Sequence, residues 1–293
     1  MKTLSTSSLH IEFTVRNIIL RAIDFRGDSY KHTIIALHGW LDNAESFRLL
    51  GPKLAEQGLR VIALDLAGQG LSDMRPLQGS YHLWDDAVDV IQIAEQLELS
   101  QYSLLGHSRG AMIATQIATA FPEKIKSLCV LDGLLPIPVN IDETVEQFRR
   151  FTLGFQSRRA SRVFSRRQDA IEIRAKAARM DVDAVELLAE RGLFKCEGEN
   201  SEGWQWRVDE RLKIASAVKM TEAHNQQWLE KLENTKMPVQ IILAQQGLSQ
   251  LPLFKTYQNQ HSQWQWILLE GGHHQHMQAQ ASKLAEHVVG FFV

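Results

Sequence analysis

From Tyr102 to Ala114 the chain passes from an apolar, strand-like run, Tyr102-Ser103-Leu104-Leu105, through Gly106-His107-Ser108-Arg109-Gly110, directly into a helical period beginning Ala111-Met112-Ile113-Ala114. A bare G-x-S-x-G is weak, because glycine and serine are common. Set on a strand-to-helix turn, it constrains the chain strongly. The turn holds the serine oxygen clear of the backbone, and the two glycines permit close packing on either side. The amide of the next residue, Arg109, is left free to hydrogen-bond an oxyanion. This pattern marks Ser108 as a candidate nucleophile and demands a strand feeding a helix there. A plain tight turn is the bland alternative.

The same rhythm recurs elsewhere. Glu12 to Val15 and Ile18 to Phe25 read as a hairpin-like pair, and Thr33 to Leu37 as a strand buried on both faces. Ser46 to Gln57 has helical spacing, Arg60 to Leu66 is strand-like, Leu83 to Leu97 is an amphipathic helix, and Arg109 to Phe121 is a helix before the strand Ser127 to Leu131. After a break the rhythm resumes with Pro238 to Leu243, a helix near Phe254 to Gln260, a strand Trp264 to Leu269 and a closing helix Ala279 to Phe292. Alternation of this kind predicts an α/β fold, a mostly parallel sheet covered by helices. The break, from about Asp142 to Thr235, is helical, with Arg pairs at Arg149-Arg150, Arg158-Arg159 and Arg166-Arg167 and a short aromatic loop, Gly203-Trp204-Gln205-Trp206. The pairs read most simply as solvated helix faces, with an anionic-substrate funnel as the alternative. The chain thus divides into a core, 1–136 and 236–293, and one helical insertion, 137–235.

Composition narrows function more than fold. With 293 residues, 44% hydrophobic, 23% charged and a formal charge of −2, the chain is globular and carries no basic footprint for nucleic acid. No apolar run approaches the roughly 18 to 20 residues that span a bilayer. Met1 to His10 is polar, without a signal-peptide core, so a cytoplasmic location is expected. Two cysteines, Cys129 and Cys196, are too few for a disulfide framework or a thiolate cage, and Cys129 lies in an apolar run as a buried small hydrophobe.

Two further segments carry chemistry-bearing residues. In Asp65-Leu66-Ala67-Gly68-Gln69-Gly70-Leu71-Ser72-Asp73 the glycines suggest a phosphate cradle, but no Lys-Ser/Thr follows and the next helix starts late. The segment reads as a crossover loop, with Asp65 and Asp73 tying backbone amides. Gly271-Gly272-His273-His274-Gln275-His276 follows the final strand, where a base for Ser108 is expected, and His273 takes that place. A metal site from His273, His274 and His276 competes, although such sites usually need partners from elsewhere. With His273 as base, the other two histidines pack or brace the loop.

Together these residues resemble the α/β-hydrolase superfamily over roughly 30–135 and 236–293. The runs His38-Gly39-Trp40-Leu41-Asp42-Asn43-Ala44-Glu45-Ser46-Phe47 and Gly272-His273-His274-Gln275-His276-Met277 are similar to its serine hydrolase-like protein subfamily. The resemblance implies an eight-stranded, mostly parallel sheet flanked by helices, with a helical cap inserted after the sixth strand. It also implies serine-based hydrolysis of a small ester-like molecule, with neither cofactor nor metal. Trp40, the residue after His38-Gly39, would supply the second oxyanion N–H beside Arg109, with His38 bracing the loop; plain packing of His38 and Trp40 is the alternative. Mammalian relatives are associated with peroxisomes, but this chain ends Gly290-Phe291-Phe292-Val293, without a Ser-Lys-Leu-type signal.

The acid is displaced from its common position in that superfamily. The usual stretch, a strand beginning with Pro and ending Gly-x-x-Asp, corresponds to Pro238 through Gly247, with Ala244 for the glycine and Gly247 for the aspartate. Met237 to Gln263 contains no carboxylate at all. Asp132, directly after the sixth strand, is the replacement that some branches of the superfamily use, and it keeps the chain order Ser, acid, His. The alternatives are a strand-end aspartate serving loop amides beside a Ser-His dyad, another acyl-type substrate, or a binding protein that has lost turnover. Trp204, Trp206 and Met220 are possible liners of the cap.

Overall fold

The computed structural model describes residues 7–157, 160–196 and 202–293. The Arg158-Arg159 pair and the start of the polar N-terminal run lie outside the described residues. Ten strands are assigned among them: β1 (Ser7–Val15), β2 (Ile18–Arg26), β3 (His32–Leu37), β4 (Leu59–Leu64), β5 (Tyr102–His107), β6 (Ile125–Leu131), β7 (Leu193–Cys196), β8 (Gly203–Trp206), β9 (Val239–Gln246) and β10 (Gln265–Gly272). Eight form one sheet in the order β1-β2-β4-β3-β5-β6-β9-β10. Only the pairings of β2 with β1 and with β4 are antiparallel; from β4 through β10 the ladder is parallel.

The central strands are continuously apolar because both faces are covered. Ile35 and Leu37 of β3 and Leu128 and Val130 of β6 face one cluster, with α2 (Leu83–Gln96), α3 (Arg109–Ala120), α7 (Glu222–Asn234) and α8 (Pro252–Gln260). Ile34, Ala36, Cys129 and Leu131 face the other, with α1 (Gly51–Glu56) and α9 (Ala281–Phe292). Cys129 is fully buried, and burial pushes its thiol pKa up, so it behaves as a small hydrophobe. Full burial of each large aliphatic side chain is worth about 1.5–3 kcal/mol.

Register places the chemistry. His107 of β5 lies opposite Leu131 of β6, and Leu37 of β3 opposite Gly106. Leu131 in turn faces Ile242 of β9. The residues that follow these strands therefore emerge together at one edge of the sheet.

The described residues between β6 and β9 contribute no strand to this sheet. It holds α4 (Thr144–Gln156), α5 (Arg167–Ala178), α6 (Val182–Gly192) and α7, and α5 and α6 share a third apolar cluster with Phe164, Leu193 and Met277. Two local expectations need correction. Gly203 to Trp206 is not a loop but strand β8, paired antiparallel with β7; four-residue strands are too short to show alternation. Ser46 to Gln57 is not one helix. It splits into a 3-10 turn, Ala44–Phe47, and α1, because Pro52 in the first turn of α1 cannot donate to a preceding turn.

Candidate active site

Ser108 caps the N-terminus of α3 at φ 51° and ψ −113°, a conformation that costs a non-glycine residue about 1–3 kcal/mol. The surrounding glycines make the turn possible. A Cβ at Gly106 would lie 2.6 Å from Ala111 Cα and N, one at Gly110 would collide with the Leu37 carbonyl, and one at Gly133 would lie 2.8 Å from Ser108 O. Arg109 begins α3, so its N–H has no partner within the helix. Its guanidinium is engaged by Asp86 Oδ2 at 2.6 Å and by the Tyr81 carbonyl at 3.1 Å.

His273 lies directly after β10 and meets both of its expected partners. Its Nε2 is 2.9 Å from Ser108 Oγ, and its Nδ1 is 2.5 Å from Asp132 Oδ2. Asp132 is wholly buried, and its carboxylate also accepts from the Ala244 amide at 2.9 Å and the Leu248 amide at 3.1 Å. The vacancy at Gly247 explains why this carboxylate fits. A Cβ on Gly247 would overlap Asp132 Oδ2, with Cγ only 2.7 Å away. A side chain at 247 and the Asp132 carboxylate thus compete for one volume, and this chain fills it from β6.

The loop after β3 forms the opposite wall. His38 Nε2 accepts from the Leu66 amide at 3.0 Å and Nδ1 donates to Gly39 O at 2.7 Å, so this side chain braces the loop. The Leu41 amide donates to Gln69 Oε1 at 2.6 Å and the Asp42 amide to Gly39 O at 3.2 Å. Trp40 lies between these positions and lines the cavity with Ser108 and His273.

Three residues to which the sequence reading gave no role sit at this site. His107 bonds the His273 carbonyl through Nε2 at 2.9 Å. Burial pushes its pKa well below the ordinary imidazole range, so it is neutral. Asp42 is buried; burial alone would favour its neutral form, but His274 Nε2 at 3.5 Å and Arg174 Nη2 at 2.9 Å hold it well below the usual carboxylate range. Arg174, from α5, also donates to Leu41 O at 2.5 Å and stacks on Trp206 at 4.4 Å. Arg174 is a lone arginine in a helical period, and no local signal could have marked it. His107 stands at the variable position of the pentapeptide, which the motif leaves open.

The remaining segments behave structurally. Asp65 accepts from the Ala44 and Leu71 amides and takes a two-nitrogen contact from Arg191, while Gly70, at φ 58°, leaves the room its carboxylate fills. Asp73 accepts from the Ile19 amide at 2.9 Å. Gly70 therefore cradles a carboxylate, not a phosphate, while Gly68 lies against the Tyr81 ring. His274 approaches Asp42, and His276 is buried against Phe47 and His107. Among the described residues no three His, Cys, Asp or Glu side chains converge as metal ligands, and no helix is long and apolar enough to cross a membrane.

A cavity of about 550 Å³ opens over Ser108, between the sheet edge and the inserted segment, walled by Phe164, Ile173, Ala177, Trp206 and Val208. Trp206 is the only one of the three suggested liners there; Trp204 and Met220 lie elsewhere. Arg149 and Arg150 are exposed beside Glu146, and Arg166 beside Asp169, as solvated faces.

Residues 32–261 match the family model for the alpha/beta hydrolase fold. A serine hydrolase-like protein of Dictyostelium discoideum is 28% identical over 256 residues, covering 84% of this chain and 70% of that protein. One from Danio rerio is 26% identical over 272 residues, covering 86% and 78%. Among solved structures, a hypothetical protein from Pseudomonas aeruginosa PAO1 superposes with a TM-score of 0.87 at 37% identity, covering 97% of each chain. The family match and the elbow at the sheet edge agree: the chain belongs to the alpha/beta hydrolase family, and the relatives it is similar to are serine hydrolase-like proteins.

Proposed function

We propose that the protein is a serine hydrolase acting on a carboxylic ester through Ser108, His273 and Asp132. The observation that carries this reading is the bridging imidazole, 2.9 Å from Ser108 Oγ and 2.5 Å from Asp132 Oδ2, beside a serine held at φ 51°. Ser108 Oγ–H donates to His273 Nε2, and His273 Nδ1–H donates to Asp132. As Oγ attacks the ester carbonyl, its proton passes to Nε2, and the buried carboxylate stabilises the imidazolium. The carbonyl oxygen becomes an oxyanion, held by the N–H groups of Trp40 and Arg109. His273 then protonates the departing alcohol, leaving an acyl-serine. Water, deprotonated by His273, attacks that ester, and collapse releases the acid and restores Ser108.

In this reading 137–235 is a cap over the site, and the apolar wall of the cavity receives the acyl group. The same chemistry would serve a thioester, an amide or a carbon–carbon bond between carbonyls. A fluorophosphonate probe should label the wild type and not Ser108→Ala, and p-nitrophenyl esters graded by acyl length should then rank the acyl pocket. A wild type that resists the probe and leaves every ester intact would favour a binding protein instead.

A further inference from the structure

The loop carrying Trp40 is tied to the inserted segment at three points. Trp40 Nε1 donates to Leu212 O at 2.9 Å, Asn43 Nδ2 donates to Leu188 O at 2.8 Å, and Arg174 reaches both Leu41 O and Asp42 Oδ1. The first two ties are neutral and flank Leu41 and Asp42. Arg174 is the charged tie, and it grips the middle.

The middle needs holding. Leu41 has φ 64°, a left-handed conformation that crowds the Cβ of any residue but glycine. Its amide is fixed by Gln69 and its carbonyl by Arg174, so both peptide planes flanking Leu41 are set from outside the loop. The consequence reaches Trp40 through Asp42. The Asp42 amide donates to Gly39 O. In a planar trans peptide the C=O and the following N–H point in opposite directions, so anchoring Gly39 O fixes where the Trp40 N–H points. Asp42 is held in turn by Arg174 at 2.9 Å, while its other oxygen faces His274, the neighbour of His273.

We propose that Arg174 is a positioning residue that couples seating of α5 to the aim of the Trp40 N–H. It acts through Asp42 and Leu41 and touches no reacting atom. The coupling rests on the hydrolase reading above, since only that reading gives the Trp40 N–H an oxyanion to hold. With α5 seated, the guanidinium neutralises Asp42 and locks the loop; with α5 lifted, the loop loses its cation and the left-handed residue its restraint. Substrate would thus be turned over only beneath a seated cap.

The test is steady-state kinetics on a p-nitrophenyl ester with three variants. Arg174→Met should lower kcat about 10- to 100-fold, somewhat less than deleting an oxyanion donor outright, with KM within about threefold of wild type. Arg174→Lys should recover most of the loss, because both bonds leave the single nitrogen Nη2 and an ammonium can replace it. Tyr81→Phe breaks a different tie to the segment, the 2.7 Å bond to Asp209, and should stay within about twofold of wild type, because Arg211 still holds the Asp209 carboxylate. A kcat for Arg174→Met within twofold of wild type overturns the coupling. So does a loss shared equally by Tyr81→Phe, which would reduce Arg174 to general attachment of the cap. Should Arg174→Met not fold, Asp42→Asn/Arg174→Met removes the buried charge and must show the same kcat loss. A wild type without labelling or turnover is the separate failure of the hydrolase reading, and this coupling falls with it.

Discussion

Two buried carboxylates flank the loop from Gly271 to Met277, and they are held in opposite ways. Asp42 faces a guanidinium at 2.9 Å, with imidazoles on its far side. Asp132 is held by two backbone amides and by His273, and no Lys or Arg among the described residues comes within ion-pair distance of it. A carboxylate already neutralised by arginine has little attraction left for an imidazolium. In the proposed mechanism, one that rests on amide dipoles keeps its charge for the moment His273 becomes a cation. Burial and proximity to histidine do not separate the two; the nature of the other partners does.

The contrast breaks most visibly in a pair of asparagine substitutions. Asp132→Asn should lower ester turnover about 10⁴-fold, the scale seen when a tautomer-fixing acid is lost from a serine protease, with little change in the unfolding midpoint. Turnover within a few-fold of wild type would remove Asp132 from the triad. Relocation sharpens the point. Gly247 has a negative φ of −119°, outside the left-handed region, so Asp132→Gly/Gly247→Asp should regain at least about tenfold over Asp132→Gly, because both carboxylates reach one volume.

Asp42→Asn should act first on stability. It leaves the Arg174 guanidinium without its counter-charge, at a cost of about 3–5 kcal/mol, measurable by urea unfolding. A loss under about 1 kcal/mol would mean that solvent already screens the pair.

The third test uses pH. Burial, reinforced by His274, lowers His276 to about 3, whereas in the unfolded chain it titrates near about 6.5. Above that pH neither state binds the proton, and His276 adds nothing to the pH dependence. As pH falls from there toward 3, the unfolded chain takes up a proton that the native state refuses, and stability drops. The unfolding free energy from urea titrations across pH 6 to 4 should therefore fall less steeply in His276→Leu, by up to about 1.4 kcal/mol per pH unit. An unchanged slope would put a proton on His276 in the native protein. The smallest effect is expected at the solvated pair: Arg149→Gln/Arg150→Gln should move stability by no more than about 0.5 kcal/mol and leave turnover unaltered.

Much of the site was legible because its signals are local. The elbow is spelled within five residues, with glycines forced by Ala111 and the Leu37 carbonyl. The strands of the sheet announce themselves as apolar runs, and His273 by its place after the last of them. The short strands β7 and β8 were missed, since each needs the other to exist. The acid could be named only as the one aspartate left at a suitable strand end. Its competition with position 247 for space is a fact of packing.

By itself, then, the sequence determined the alternating fold, the turn that carries Ser108 and the position of His273, because periodicity and turn geometry are written in stretches of a dozen residues or fewer. Tertiary structure alone decided which carboxylate turns toward His273 and which toward an arginine. Arg174 and Asp42 are 132 positions apart, and Arg191 and Asp65 are 126. Ion pairs at such separation leave no periodic trace. They exist only once the sheet has brought its strand ends together and the inserted helices have settled over them.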